Sequence, residues 1–372
     1  MLDRARVALA SLATLSLVSA ACSTERTCLE GGKACEEAPI CESLQFTCSS
    51  DSLFVGKLSQ LPGGLDLSEA EGTGIDYVLQ NGSVTVVIDE LSEAHGLAPT
   101  GGNIIDMGSR GGADDLNIIY QLSGILPEDA FSYHSIELID EAPEMVALVV
   151  RGSLEGRSEI EVATRYELRA CEPGVRVRSD IYNGSPDPHA YSISDTGHWG
   201  ERNLLPFVPL AGQGFEQPSF ELLELQNAFD EYDFVMARAA EDDAPSYGFV
   251  SCDRKQLRGV NSSGISSLGT SIELLRPGAR RSYQRFILAT QSPDLEKSSQ
   301  IVSDLRQKLH GDSEPVLVRG QLTAQGRPMQ GSIRRAILVI SEVVGDGLHR
   351  PLTTLVPDAE GRIEATVPSQ SP

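Results

Sequence analysis

The chain has 372 residues, a hydrophobic fraction of 40% and a formal net charge of −23 at pH 7. That length and apolar content suffice for about two packed domains. The acidity argues against a nucleic-acid backbone or anionic head groups as electrostatic partners, and most of it reads as solvated surface.

The N-terminus reads as an export signal. Arg4 and Arg6 precede an apolar run from Val7 to Val18, which meets Ser19-Ala20-Ala21-Cys22. A short apolar stretch between basic and small residues is a secretory signal too short to span a bilayer. The small residues before Cys22 resemble the lipobox of bacterial lipoproteins, although Ser19 stands where that motif usually has leucine. The resemblance implies cleavage before Cys22 and acylation of its thiol, each buried CH₂ adding about 0.8 kcal/mol of membrane affinity. Ser23, rather than aspartate, then follows the anchor, which by resemblance to Gram-negative lipoproteins implies the outer membrane. The competing reading is ordinary cleavage nearby, leaving Cys22 as one more disulfide partner.

Besides Cys22, six cysteines remain: Cys28, Cys35, Cys41, Cys48, Cys171 and Cys252. An even set in an exported chain is expected to form disulfides. The first four lie in a segment rich in Glu, Gly and Ser that could not bury a core of its own, so it reads as a stalk compacted by two local bridges. Spacings of seven, six and seven residues lack the CxxC knuckles that favour zinc, the alternative for four clustered cysteines. Cys171 and Cys252 each adjoin a predicted strand and are expected to pair with each other.

From Leu53 the pattern is that of strands. Ile75, Tyr77 and Leu79 alternate, Asn81-Gly82 follows, and Val84, Val86 and Ile88 alternate again. Asn-Gly between two such runs predicts a hairpin with a type I′ turn. Ile136/Leu138, Val146/Leu148/Val150, Ile160 to Leu168 and Val175/Val177/Ile181 predict an antiparallel meander. Further strands are expected over 247–251, 270–275 and 282–289. Ser292-Pro293, the apolar face of Leu295, Ile301, Val302, Leu305 and Leu309, and Gly311 predict one amphipathic helix. Strand signals return at Val316–Gly320, Ala336–Ile340 and Arg362–Val367.

Val318-Arg319-Gly320-Gln321-Leu322, Gly326-Arg327-Pro328-Met329-Gln330-Gly331 and Asp358-Ala359-Glu360-Gly361-Arg362-Ile363 resemble the carboxypeptidase regulatory-like, or transthyretin-like, sandwich. In the larger body, three stretches stand out: Gly96 to Asp106, Asp114-Asp115-Leu116-Asn117, and Cys171 to Arg178 before Tyr182-Asn183-Gly184. Together they resemble the N-terminal region of myxobacterial CehA/McbA-family metallohydrolases. There a galactose mutarotase-like β-supersandwich precedes a regulatory-like sandwich and then a PHP hydrolase domain. The resemblance implies an all-β fold: a large antiparallel β-supersandwich, one short helix and a smaller, incomplete transthyretin-like sandwich. The parts are a signal peptide (1–21), a Cys-rich stalk (22–52), the supersandwich (53–291), a helical connector (292–311) and the terminal sandwich (312–372). A PHP site needs clustered His and carboxylate ligands, and none of the six histidines forms His-x-His. Hydrolase activity is therefore not carried over, and no metal or cofactor is expected.

Mutarotase-like enzymes work with a histidine and a carboxylate on the face of a sheet. By that resemblance His198, Trp199, Glu201, Arg202 and Glu216 are candidate sugar contacts, with Trp199 as a stacking surface. Against this stands a packing role for Trp199 and a satisfied strand position for His198. The favoured reading is a lipid-anchored, non-catalytic module that binds carbohydrate or an envelope protein. The alternatives are a sugar epimerase, the separated front half of a metallohydrolase, and a structural scaffold.

Overall fold

The computed structural model describes residues 40–49, 51–92, 94–124, 129–199, 204–207, 231–232, 234–238, 245–253, 257–261, 265–291, 295–311, 315–328, 338–345, 347–355 and 357–368. The fold is all-β, with two large antiparallel sheets face to face. The first sheet has nine strands, in the order Phe54–Lys57, Tyr77–Gln80, Val84–Ile88, Ile104–Ser109, Leu116–Leu122, Ser194–Trp199, Ile265–Gly269, Leu257–Asn261 and Glu231–Tyr232. The second has eight: Leu205–Phe207, Phe234–Arg238, Pro245–Ser251, Arg280–Gln291, Gly174–Asn183, Arg157–Arg169, Met145–Leu154 and Phe131–Ala142.

Period-2 patterning decides which residues face inward. Val84, Val86 and Ile88 from one sheet meet Leu148, Val162, Tyr166, Val175, Val177 and Ile181 from the other in one continuous core. The expected meander is the run of four strands from Phe131 to Asn183. At its interior lies a polar ring that joins the sheets. Arg285 pairs with Asp195 and donates to Ser179 Oγ (2.9 Å), Ser179 meets Thr164 (2.8 Å), and Thr164 meets Tyr133 OH (3.0 Å). Tyr133 and Tyr166 both donate to Gln121 Oε1, and Gln121 Nε2 returns to Asp195. Burial disfavours the Arg285 charge, but Asp195 more than offsets it and holds the guanidinium above its ordinary pKa. Such a ring closes in only one mutual placement of the sheets.

The hairpin at Asn81-Gly82 forms, but not with the expected turn. Neither residue has positive φ. Instead Asn81 Oδ1 accepts from the Ser83 and Val84 amides at 2.7 and 2.8 Å, while Nδ2 donates to the carbonyls of Arg169 and Glu172. An Asx turn that also ties in a distant loop replaces the two left-handed residues of a type I′ turn.

The outer face of the second sheet is covered by two pieces from opposite ends of the sequence. Helix α1 (Leu295–His310) lays Ile301, Val302, Leu305 and Leu309 on Phe234, Met236, Val250, Phe286 and Leu288. Gly311 follows with φ +62°, the left-handed residue expected beyond a helix C-terminus. Residues 40–49 lie over the same apolar surface as a strap. Ile40 and Leu44 are fully buried there, and Phe46 stacks on Phe286. Buried Arg176 donates to the carbonyls of Ile40, Cys41 and Leu44 and pairs with Glu172. This corrects the reading of this stretch as a stalk: its apolar residues are too few for a core of their own and complete someone else's.

The cysteine pairing is corrected for the same reason. Cys41 bonds to Cys252 and Cys48 to Cys171, with Cα separations of 5.2 and 5.7 Å. The expected Cys171–Cys252 bridge fails on strand order, because Arg280–Gln291 and Gly174–Asn183 stand between Pro245–Ser251 and Arg157–Arg169. Two or three strand spacings are about 10–14 Å, beyond the roughly 7 Å a disulfide tolerates. Local bridges and a zinc site fail for Cys41 and Cys48, since both sulfurs have distant partners. Cys22, Cys28 and Cys35 lie outside the described residues.

Beyond α1 the described residues form small ladders. Pro315–Gln321 pairs with Arg362–Pro368, and Leu338–Gly345 with Leu348–Leu355, a strand the sequence pattern did not single out. Among the described residues, Arg362–Pro368 has a ladder partner on one edge only. The expected strand over 270–275 is shorter, Glu273–Leu275, and pairs with His189–Tyr191 outside both large sheets.

Candidate functional site

The strand Ser194–Trp199 is central to the first sheet, between Leu116–Leu122 and Ile265–Gly269. Its alternation sends Asp195 and Gly197 inward and Thr196 and His198 outward. A bulge between His198 and Trp199 then turns the indole inward as well. Trp199 is 6% exposed, stacks on Tyr247 at 5.6 Å, and donates from Nε1 to Ser266 Oγ at 3.0 Å. Gly197 makes this possible, because a Cβ there would lie 2.6 Å from the indole ring. Trp199 is therefore a core residue, and its role as a sugar-stacking surface is withdrawn.

His198 remains on the outer face, half-buried, in register with Ile118 on one side and Ile265 on the other. One rung away, Thr196 stands between Tyr120 and Ser267 in register, and its hydroxyl lies 3.1 Å from that of Ser267. Burial lowers the His198 pKa and raises that of Tyr120, so both are neutral at pH 7. Of this strip His198, Ile265 and Ser267 are half-buried, whereas Thr196 and Tyr120 are buried, Tyr120 packing with Ala98 and Leu122. The part that reaches solvent, His198 and Ser267, can exchange hydrogen bonds with a neutral hydroxylated ligand and offers no charge to hold an ionic one. Glu201, Arg202 and Glu216 lie outside the described residues.

Beside the strip, the loop over residues 94–103 covers the same face. Ala98 packs with Ile118 and Tyr120, and a Cβ at Gly96 would touch Ile118 at 3.4 Å. Gly101 passes so close to the Glu90 carbonyl that a Cβ would lie 1.8 Å from its oxygen. Aspartates clamp these loops. Asp89 accepts from the Asn103 amide (2.7 Å), Asp76 from Glu90 (2.9 Å), and Asp106 from Glu71 and Gly72 (2.7 and 2.9 Å). Asp114 accepts from Met107, Leu116 and the Tyr247 hydroxyl. Burial raises the pKa of Asp89 to about 7 and of Asp106 to about 6, and puts Asp114 well above the ordinary carboxylate range. The stretches from Gly96 to Asp106 and from Asp114 to Asn117, read in the sequence as family motifs, thus act as backbone clamps. The same holds for Cys171 to Arg178, through Arg176, and for Asn183, which donates to the carbonyls of Asp187 and Leu275.

Among the described residues one cluster has metal-ligand types within reach, Cys48, Asp51 and Cys171. Its sulfurs are joined to each other, and Asp51 accepts instead from the Cys171 and Gly82 amides. Sequence reasoning found His198 but missed Tyr120, Thr196 and Ser267. Thr196 was legible as the period-2 neighbour of His198, whereas Tyr120 and Ser267 join it only through strand order.

No protein-family model matches the chain, and no curated protein sequence does. Among solved structures it is similar to a galactose mutarotase-like protein from Clostridium acetobutylicum, at 10% identity and a TM-score of 0.38 over 64% of this chain and 99% of that one. It is also similar to the α-galactosidase from Lactobacillus brevis, at 11% identity and a TM-score of 0.42 over 65% and 44% of the two chains. A TPR-domain containing protein from Parabacteroides distasonis matches at 11% identity and a TM-score of 0.38 over 65% and 54%. The chain thus spans about half the length of the last two. At these identities and scores the likeness is a distant one of chain path and identifies no site.

Proposed function

We propose that the protein is a lipoprotein held to the outer membrane through Cys22, whose β-sandwich body binds carbohydrate without turning it over. The observation that carries the binding reading is the pair of half-buried groups His198, a neutral imidazole, and Ser267 on one sheet face, with the buried Thr196 hydroxyl 3.1 Å from that of Ser267. Sugar recognition needs hydrogen-bond exchange next to apolar surface, and the half-buried Ile265 stands in register with His198. Export is supported by the order of basic, apolar and small residues before Cys22 and by two bridges between distant cysteines, which an oxidising compartment sustains.

Calorimetric titration against a panel of neutral oligosaccharides tests the binding. A ligand is expected whose affinity falls at least tenfold in His198→Ala and in Ser267→Ala, with the melting temperature nearly unchanged. Interconversion of sugar anomers that His198→Ala abolishes would replace this reading with an epimerase. No affinity for any glycan, together with a stable envelope-protein partner, would replace it with a scaffold. The anchor is tested by mass spectrometry of the mature N-terminus, where an acylated Cys22 is expected and an unmodified amine on any other residue refutes it.

A further inference from the structure

The two bridges are nested and skip every near neighbour. Cys41 joins Cys252 across 211 residues and Cys48 joins Cys171 across 123, although Cys41 and Cys48 are seven residues apart and Cys28 and Cys35 precede them closely. Loop closure weighs against this pairing. For a flexible chain, entropy favours a seven-residue loop over one of two hundred residues on the order of a hundredfold. Order of emergence weighs the same way. At typical synthesis rates Cys252 follows Cys48 by roughly 10–40 s, within the seconds-to-hours range of disulfide formation.

The body must also exist before the strap has anything to grip. The residues that receive it, Phe234, Met236, Val250, Phe286 and Leu288, lie two hundred or so positions downstream, as does the strand end that carries Cys252. Once docked, the strap shields its own bond. Cys41 is 3% exposed and shares a buried apolar cluster with Ile40 and Leu44, whereas Cys48 is exposed and Cys171 half-buried.

We infer that the chain first forms wrong, local bridges within its cysteine-rich N-terminal segment and depends on a partner of the thiol–disulfide isomerase class to reach its native pairing. The inference rests on connectivity and chain order, independently of what the sheet face binds. The exchange is balanced. An isomerase thiolate attacks the Cys41 sulfur of a Cys41–Cys48 bridge, forming a mixed disulfide and releasing the Cys48 thiolate. The Cys252 thiolate then attacks the same Cys41 sulfur, forms Cys41–Cys252 and returns the isomerase thiolate, with no net oxidation. The Cys48–Cys171 bridge removes two electrons and two protons, which a thiol oxidase, or oxidised glutathione in the test tube, accepts.

The test is oxidative refolding of the reduced full chain carrying Cys22→Ser, in a glutathione redox buffer, with free thiols trapped by alkylation and bridges mapped on non-reduced peptides. Early species are expected to hold bridges among Cys28, Cys35, Cys41 and Cys48. Catalytic amounts of protein disulfide isomerase are expected to speed the appearance of Cys41–Cys252 at least tenfold, and an isomerase with its active-site cysteines replaced is expected to do nothing. In the variant Cys28→Ser/Cys35→Ser/Cys48→Ser, where Cys41 has no near competitor, the acceleration should fall below about twofold. Native bridges that form first, at the same rate with or without isomerase, would overturn the inference. So would an acceleration that persists undiminished in the triple variant.

Discussion

The outer faces of the two sheets are finished in opposite ways. On the second sheet, Phe234, Val250, Phe286 and Leu288 form an apolar surface, and the strap of residues 40–49 and helix α1 cover it from distant parts of the sequence. On the first sheet the connections do the covering themselves, with Ala98 and Leu65 packed on Val87, Ile105 and Tyr120 and with aspartates clamping their backbones. The first solution requires covalent and ionic fastening over long sequence distances. The second leaves part of the face, at His198, Ile265 and Ser267, only half covered. A surface that must be sealed by distant chain is costly to open, whereas one edged by its own loops can serve a ligand.

If the contrast holds, the largest loss of stability should come from unfastening the strap. Arg176→Met leaves Glu172 buried without its partner and three strap carbonyls without donors, and should cost about 3–5 kcal/mol in urea unfolding. Replacing Glu172 together with Arg176 by apolar residues should return part of that loss, because the unpaired buried charge is gone. A loss below about 1 kcal/mol for Arg176→Met would mean that the strap adds little to the fold.

Removing one staple should come next. Cys41→Ser/Cys252→Ser opens a bridge spanning 211 residues and is expected to cost about 2–5 kcal/mol, read as a lower unfolding midpoint. The same exchange at Cys48 and Cys171 should cost less, since it closes the shorter loop of 123 residues.

On the first sheet the effect should run the other way. Asp89 titrates near pH 7 in the folded chain because burial disfavours its charge. Between about pH 4 and 7 the folded chain therefore keeps a proton that the unfolded chain has lost, and stability falls as pH rises through that window. Asp89→Asn keeps an acceptor for the Asn103 amide while removing the charge. It should stabilise the protein at pH 8 by about 1–2 kcal/mol and flatten the slope between pH 5 and 7. An unchanged slope would show that Asp89 is not the group responsible. The smallest effect belongs to the half-covered part of the first sheet, where Ser267→Ala should shift stability by less than about 1 kcal/mol.

Much of the fold was legible because strand formation is local. The alternation of Val146, Leu148 and Val150 and of Ile160 to Leu168 fixes which side of a strand is apolar whatever its neighbours are, and the apolar spacing of α1 does the same for a helix. The turn at Asn81-Gly82 was legible as a hairpin but not as an Asx turn, because the choice is made by carbonyls of Arg169 and Glu172 far along the chain. Strand order is a long-range property, and with it goes everything that spans strands. That is why Cys171 and Cys252 looked like partners when two strands part them, why Cys41 and Leu44 looked like a stalk when they complete a core, and why Trp199 looked free. Position 197 needs glycine and Tyr247 is a stacking partner only once the two sheets face each other. The sequence by itself determined the periodicities, the breakpoints and the choice of β-structure over helix, since these depend on neighbours within a few residues. The tertiary structure alone decided which faces are sealed, which cysteines meet and which side of its strand His198 shares with Tyr120, Thr196 and Ser267, since each of these depends on residues that only packing brings together.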